Sequence, residues 1–146
     1  MPRIAARTEE IAAFCARYGV KLAYENVEWA FYNRPGLFQA LKQGCPNLCG
    51  VLDIKQARIS EYDWREYLKD MQGSLTHVHV SDITEDGKMC LPGEGVFDFD
   101  ELFRRLVDAG FDGPILIENY GGDYAEIIQL RRSWEYLAEK VEKYRV

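Results

Sequence analysis

Four short apolar runs, at residues 21 to 27 (KLAYENV), 50 to 55 (GVLDIK), 76 to 82 (THVHVSD) and 114 to 120 (PILIENY), begin 29, 26 and 38 residues apart. Each interval is filled by a segment with helical periodicity, and that length suits one strand, one helix and two connections. Strands that alternate with helices are joined by right-handed crossovers in a parallel sheet. The spacing therefore predicts an α/β chain of four parallel β/α units behind a leading helix. Thr8 to Tyr18 carries Ile11, Phe14 and Cys15 at helical spacing, and Pro35 opens a second helix through Leu37, Phe38 and Leu41 before Gly44 stops it. Three later helices are expected to start at an Asp with a Glu three residues on: Asp63 with Glu66, Asp98 with Glu101, and Asp123 with Glu126. The last runs to about Tyr144. One loop-rich stretch, ITEDGKMCLPGEGVFDF, follows the third strand.

A chain of 146 residues with 47% apolar and 13% aromatic residues has enough material for a substantial core, and a single domain over residues 1–146 is expected. The formal charge of -6, from 18 basic and 24 acidic residues, argues against a nucleic-acid partner, whose affinity comes from clustered cations. No apolar run approaches the roughly 20 residues of a membrane span. The opening MPRIAARTEE has no apolar signal-peptide core, so a cytoplasmic location is expected. Cys15, Cys45, Cys49 and Cys90 read as reduced thiols, and Cys45 and Cys49 lack the second ligand pair of a zinc knuckle.

In a parallel α/β sheet the functional residues gather at the carboxyl ends of the strands. Each of the four runs carries a good metal ligand near that end: Glu25, Asp53, His79 and Glu118. Taken singly, Glu25 reads as a rim carboxylate, Asp53 as an ion-pair partner of Lys55, and a histidine as a satisfied core residue. Four charged or ionisable groups at equivalent places in apolar runs call for one cause, because each is costly to bury unless paired or coordinated. A shared divalent cation is that cause. Three carboxylates and one imidazole suit manganese or magnesium, with cobalt or zinc also compatible. His77 and His79 point to the same side of their strand, and His79 is the expected ligand because it lies nearer the carboxyl end.

The runs LAYENV, GVLDIKQA and HVHVSD, together with LPGEGVFDFDELFRRLVDAGFDGPILIENY, resemble the C-terminal half of the xylose isomerase-like TIM-barrel superfamily. That superfamily includes sugar-phosphate isomerases and epimerases and the family 2 apurinic endonucleases. The resemblance implies that Glu25, Asp53, His79 and Glu118 bind one metal on the last four strands of a barrel. It also implies that Glu25 and Glu118 face opposite sides of an enediolate as the proton-moving pair, in a metal-dependent isomerase or epimerase acting on a sugar or sugar phosphate. Many members carry a substrate-binding His three residues after the metal Asp; here Gln56 stands there, able to hydrogen-bond a hydroxyl but not to act as an imidazole base. Lys55 and Lys88 are candidate contacts to an anionic substrate.

A full barrel needs eight strands, so this chain reads as a parallel (βα)4 half of a TIM barrel. Its open edges require cover, either from a second copy in a homodimer or from an N-terminal half-barrel. A half-barrel that folds and binds metal without turnover is the alternative to an enzyme.

Overall fold

The computed structural model describes residues 1–144. Its internal contacts gather in two units, the first running from Met1 to Val78 and the second starting at His79.

The first unit holds α1 (Pro2–Ala16), β1 (Ala23–Glu25), α2 (Leu37–Lys42), β2 (Cys49–Asp53), α3 (Ile54–Ile59), α4 (Trp64–Asp70) and most of β3 (Leu75–Val80). β1 and β2 are parallel, with Ala23 opposite Cys49 and Glu25 opposite Val51. β3 is held on the other side of β2, where the Gly50 amide donates to Ser74 O at 2.8 Å and the Thr76 hydroxyl donates to Gly50 O at 3.1 Å. A Cβ at Gly50 would sit 2.7 Å from the Met71 sulfur, so α4 closes on the sheet at a residue without a side chain. α1 turns its small residues Ala5, Thr8 and Ala12 inward.

α2 starts in an unusual way. Its N-cap is Gly36, left-handed at φ 87° and with no side chain to satisfy the first amides. The cap comes from the far end of α4 instead. Buried Asp70 accepts from the amides of Gly36 (2.8 Å), Phe38 (3.2 Å) and Gln39 (3.3 Å) and from the Tyr32 hydroxyl (3.0 Å). Burial, reinforced by the charge of Asp70, raises the Tyr32 phenol well above its ordinary pKa, so it remains a donor.

The second unit contains the antiparallel pair β4 (Asp82–Ile83) and β5 (Met89–Cys90), then α5 (Phe99–Asp108), β6 (Ile115–Ile117) and α6 (Ile127–Tyr144). The Glu118 amide donates to Val80 O at 2.8 Å and continues the ladder between the ends of β3 and β6. The strand order is β1-β2-β3-β6, a four-stranded parallel sheet that does not close into a barrel. α5 buries Phe99, Leu102, Phe103 and Leu106, the i, i+3, i+4, i+7 stripe of an amphipathic helix. Its N-cap is Asp98, which accepts from the Glu101 amide at 2.8 Å, as the sequence predicts. The expected helix start at Asp123 is not found, and α6 begins at Ile127. The Asp123 carboxylate is occupied by the Tyr120 amide (2.9 Å) and the Asn119 side chain (3.0 Å), while Gln129 Oε1 accepts from the Ala125 and Glu126 amides.

α6 is tied to the start of α5 by one carboxylate. Asp100 accepts from Lys140 Nζ (2.7 Å), Lys143 Nζ (2.8 Å) and the Tyr144 hydroxyl (2.6 Å). The Lys140, Lys143 and Tyr144 hydrogen bonds hold its pKa well below the usual carboxylate range, and the same contact raises both lysines. A depressed carboxylate contributes stability that is present above its unfolded pKa, near 3.9, and is lost as pH falls through the folded value. The lysines work in the opposite sense: their contribution is present below about 10.4 and is lost as pH rises through their raised values. Asp100→Asn should therefore lower the melting temperature relative to the parent chain at neutral pH. The difference should narrow progressively on acidification below about pH 4, and thermal melts of the two chains across that range would check it.

Candidate functional site

Glu25 and Asp53 are the last residues of the neighbouring parallel strands β1 and β2. Glu25 is half-buried, and Asp53 is 1% exposed. The residue after Glu25 clamps the two strand ends together. The Asn26 side chain donates to Asp53 O at 2.8 Å and accepts from the Asp53 amide at 2.8 Å, a two-way bridge by a fully buried carboxamide. Asp53 leaves the strand with extended backbone and becomes the N-cap of α3, where Oδ1 accepts from the Gln56 amide at 2.8 Å. Its Oδ2 stands 4.0 Å from Lys55 Nζ, and both side chains are buried. Gln56 is buried as well, and its Oε1 accepts from the Glu28 amide at 3.2 Å, tying α3 to the loop after β1. The expected strand through residue 55 thus ends at Asp53. The aspartate and the glutamine three residues later form half of a capping box in place of a sixth strand residue.

In the second unit, His79 is the next-to-last residue of β3 and Glu118 directly follows β6. Their side chains meet, with His79 Nδ1 2.5 Å from Glu118 Oε2. The strand alternates as its sequence predicts: Val78 and Val80 are buried, whereas His77 and His79 are half-buried. Asn119 fixes the turn behind Glu118 by donating to Cys90 O at 2.9 Å.

The loop after β4 is organised by Asp82, a residue that no periodicity in the sequence singles out. This buried carboxylate accepts from four amides: Ile83 (2.7 Å), Gly93 (3.0 Å), Gly95 (3.1 Å) and Phe97 (2.9 Å). A Cβ on Gly95 would collide with the Ile83 carbonyl and the Asp82 carboxylate, which explains the second glycine of LPGEG. The only sequence signal for this cage was the pair of glycines two apart. Lys88 lies in the turn between β4 and β5, exposed and 2.6 Å from Asp86. The four cysteines are free thiols. Burial, followed by a hydrogen bond to Glu9, pushes Cys45 up to about 11, and burial, followed by the charge of Asp82, does the same to Cys90, so neither is a reactive thiolate at neutral pH.

Glu25 and Asp53 in the first unit and His79 and Glu118 in the second supply three carboxylates and one imidazole, a donor set of the kind that holds a divalent ion. Among the described residues, no helix is long and apolar enough to cross a membrane.

The family model described as xylose isomerase-like TIM barrel matches residues 1–140. The chain belongs to that family. Its members include proteins whose names describe sugar chemistry. A ketose 3-epimerase of Arthrobacter globiformis is 33% identical over 75 residues, 51% of this chain and 25% of the relative. An inosose dehydratase of Geobacillus kaustophilus (strain HTA426) is 24% identical over 127 residues, covering 73% of this chain and 41% of the relative. Among solved structures, a D-tagatose 3-epimerase-like protein superposes with a TM-score of 0.67 at 28% identity, covering 92% of this chain and 52% of the other. The chain thus spans about half or less of the length of these relatives.

Proposed function

We propose that residues 1–146 are the C-terminal, ligand-bearing half of one TIM-barrel domain in a sugar isomerase or epimerase. Glu25, Asp53, His79 and Glu118 together hold one divalent ion, manganese or magnesium, with cobalt and zinc compatible. The observation that carries the reading is that all four stand at the carboxyl ends of their strands, within a family whose named relatives include ketose epimerases. The donor set fits the ion: hard carboxylate oxygens with one imidazole nitrogen suit these metals. When bound, such an ion supplies Lewis-acid polarisation of a ketose carbonyl and its neighbouring hydroxyl.

This chain's own residues do the rest. One of Glu25 and Glu118 takes the proton from the carbon beside the carbonyl, leaving an enediolate, and the other returns a proton from the opposite face. Asn26 holds the ends of β1 and β2 in register, so the Asp53 carboxylate keeps its place. Gln56 contacts the substrate: with Oε1 on the Glu28 amide, its NH2 is the end that donates to a sugar hydroxyl. Lys55, beside Asp53, and Lys88, beside Asp86, are the cations available to an anionic substrate. The substrate is a small sugar and the setting the cytoplasm, where free thiols such as these persist. The other four strands come from a second copy or from an N-terminal half-barrel.

A second reading is favoured by one fact: the match covers 52% of the solved relative, so the remainder of that relative's barrel has no counterpart in these residues. In that reading the half-barrel binds metal without turnover. The two are separated by incubating the manganese-loaded chain in deuterium oxide with free ketoses, D-tagatose among them. The enzyme reading expects deuterium at the carbon beside the carbonyl. Bound metal with no incorporation into any ketose tested, both by the chain alone and with the uncovered part of the D-tagatose 3-epimerase-like protein added, would establish the non-catalytic one.

A further inference from the structure

Lys55 breaks two local rules at once. It is the second residue of α3, in a first turn where the helix dipole favours acids and disfavours cations, and that turn carries no acid. Its side chain is also only 2% exposed, although a lysine ordinarily keeps its ammonium in water even when its methylene stem is covered. Lys88 is the ordinary case, 79% exposed beside Asp86 in a surface turn. A buried cation that runs against the preference of its own helix calls for a cause outside the helix.

That cause lies at the end of β2. The buried Asp53 carboxylate gives Oδ1 to the Gln56 amide at 2.8 Å and turns Oδ2 toward Lys55 Nζ at 4.0 Å. The second separation is too long for a hydrogen bond, so the ammonium acts on Oδ2 by its charge and does not fix the oxygen in place. Neutral groups do the fixing: the Gln56 amide holds the carboxylate, and the Asn26 carboxamide holds the backbone of residue 53 from both sides. Position and charge balance are thus supplied to Asp53 by different residues. A buried carboxylate without a counter-charge opposes folding, which gives the ammonium its role in the metal-free chain.

We propose that Lys55 is the resident cation of this site: it balances Asp53 before the ion arrives, opposes the ion that binds there, and so sets how tightly the strand end holds manganese. The inference rests on the metal reading above and concerns a residue that acts through Asp53. An ion roughly 2 Å from Oδ2 lies no more than about 6 Å from Nζ. A single and a double positive charge at about 6 Å repel enough, even at the dielectric constant of water, to weaken binding by about tenfold. Removing the charge should therefore tighten the site, whereas removing a residue that only shaped it would loosen it.

The test replaces Lys55 in two ways. Lys55→Met keeps the length of the stem and removes both charge and donors, and Lys55→Gln removes the charge but keeps a donor. Calorimetric titration with manganese should show both variants binding about tenfold more tightly than the parent chain. Without manganese, both should melt lower than the parent by about 5 °C. Added manganese should narrow that gap, because the tighter-binding chain gains more from the same free ion. Far-UV circular dichroism confirms that each variant is folded, and the polar Lys55→Gln carries the test should Lys55→Met fail to fold. Affinity unchanged or weakened in the folded variants would overturn the inference. So would affinity kept in Lys55→Gln and lost in Lys55→Met, which would make Lys55 a hydrogen-bonding prop and not a counter-charge. A parent chain that binds no manganese overturns the metal reading together with this one, while a parent that binds it and variants that bind it less tightly overturn this one alone.

Discussion

Replacing Asp53 with Asn is expected to weaken manganese binding by about 100-fold or more, beyond the 10- to 100-fold typical of residues that only support a ligand. The substitution is nearly isosteric. An Asn at the N-cap of α3 still accepts from the Gln56 amide, so the helix start survives. The Asn26 bridge uses only the backbone of residue 53 and is untouched. What disappears is the carboxylate charge, which the proposed metal site would use and which also faces Lys55 at 4.0 Å. Glu118→Gln should lose affinity to a similar degree, since it removes the anion beside His79. His77→Ala is the control: it lies on the same strand face but one repeat further from the carboxyl end, and it should leave affinity within about twofold. Calorimetric titration with manganese reads all three. Equal losses for His77→Ala and Asp53→Asn would sink the assignment of the site to the strand ends.

Asp70→Ala is expected to cost about 3–5 kcal/mol, in the range for removing one partner from a buried charged network. That is a large share of the roughly 5–15 kcal/mol that holds a domain folded. Four donors converge on this carboxylate, two of them first-turn amides of α2 that Gly36 cannot satisfy. Removing the acceptor leaves the Tyr32 hydroxyl and the Phe38 amide buried with nothing to receive them. Tyr32→Phe deletes one donor and no acceptor, so it should cost only about 1 kcal/mol. Urea denaturation of the parent and both variants, followed by tryptophan fluorescence and circular dichroism, gives the order. If Tyr32→Phe proved as damaging as Asp70→Ala, the aromatic packing and not the carboxylate would be the keystone of this unit.

The alternation of apolar runs and amphipathic segments was sufficient to read the parallel sheet, because both signals are local: period two within each strand, period 3.6 within each helix. Val78 and Val80 against His77 and His79 show the first, and Phe99, Leu102, Phe103 and Leu106 the second. The same local rules misjudged ends. KLAYENV and PILIENY predict seven-residue strands, whereas β1 and β6 are three residues each. The run GVLDIK predicts a strand as far as Lys55, whereas β2 ends at Asp53 and Gln56 stands at capping distance, and Asp123 is predicted as a helix cap, whereas its carboxylate serves the turn after β6. An Asp offers the same hydrogen-bond geometry to a helix start and to a turn, so its neighbours in space decide which one it serves.

The sequence alone determined the alternation of four parallel strands with helices and set an acid or imidazole at the carboxyl end of each of those four strands, because both follow from spacing along the chain. Only the tertiary structure decided how those ends are held: Asn26 bridging to a strand 27 residues on, Asp70 capping a helix more than 30 residues before it, Asp82 gathering amides up to 15 residues ahead. These bonds join groups that no periodicity relates. A buried polar group must find a partner wherever the fold brings one within reach, and that reach exists only after the chain has packed.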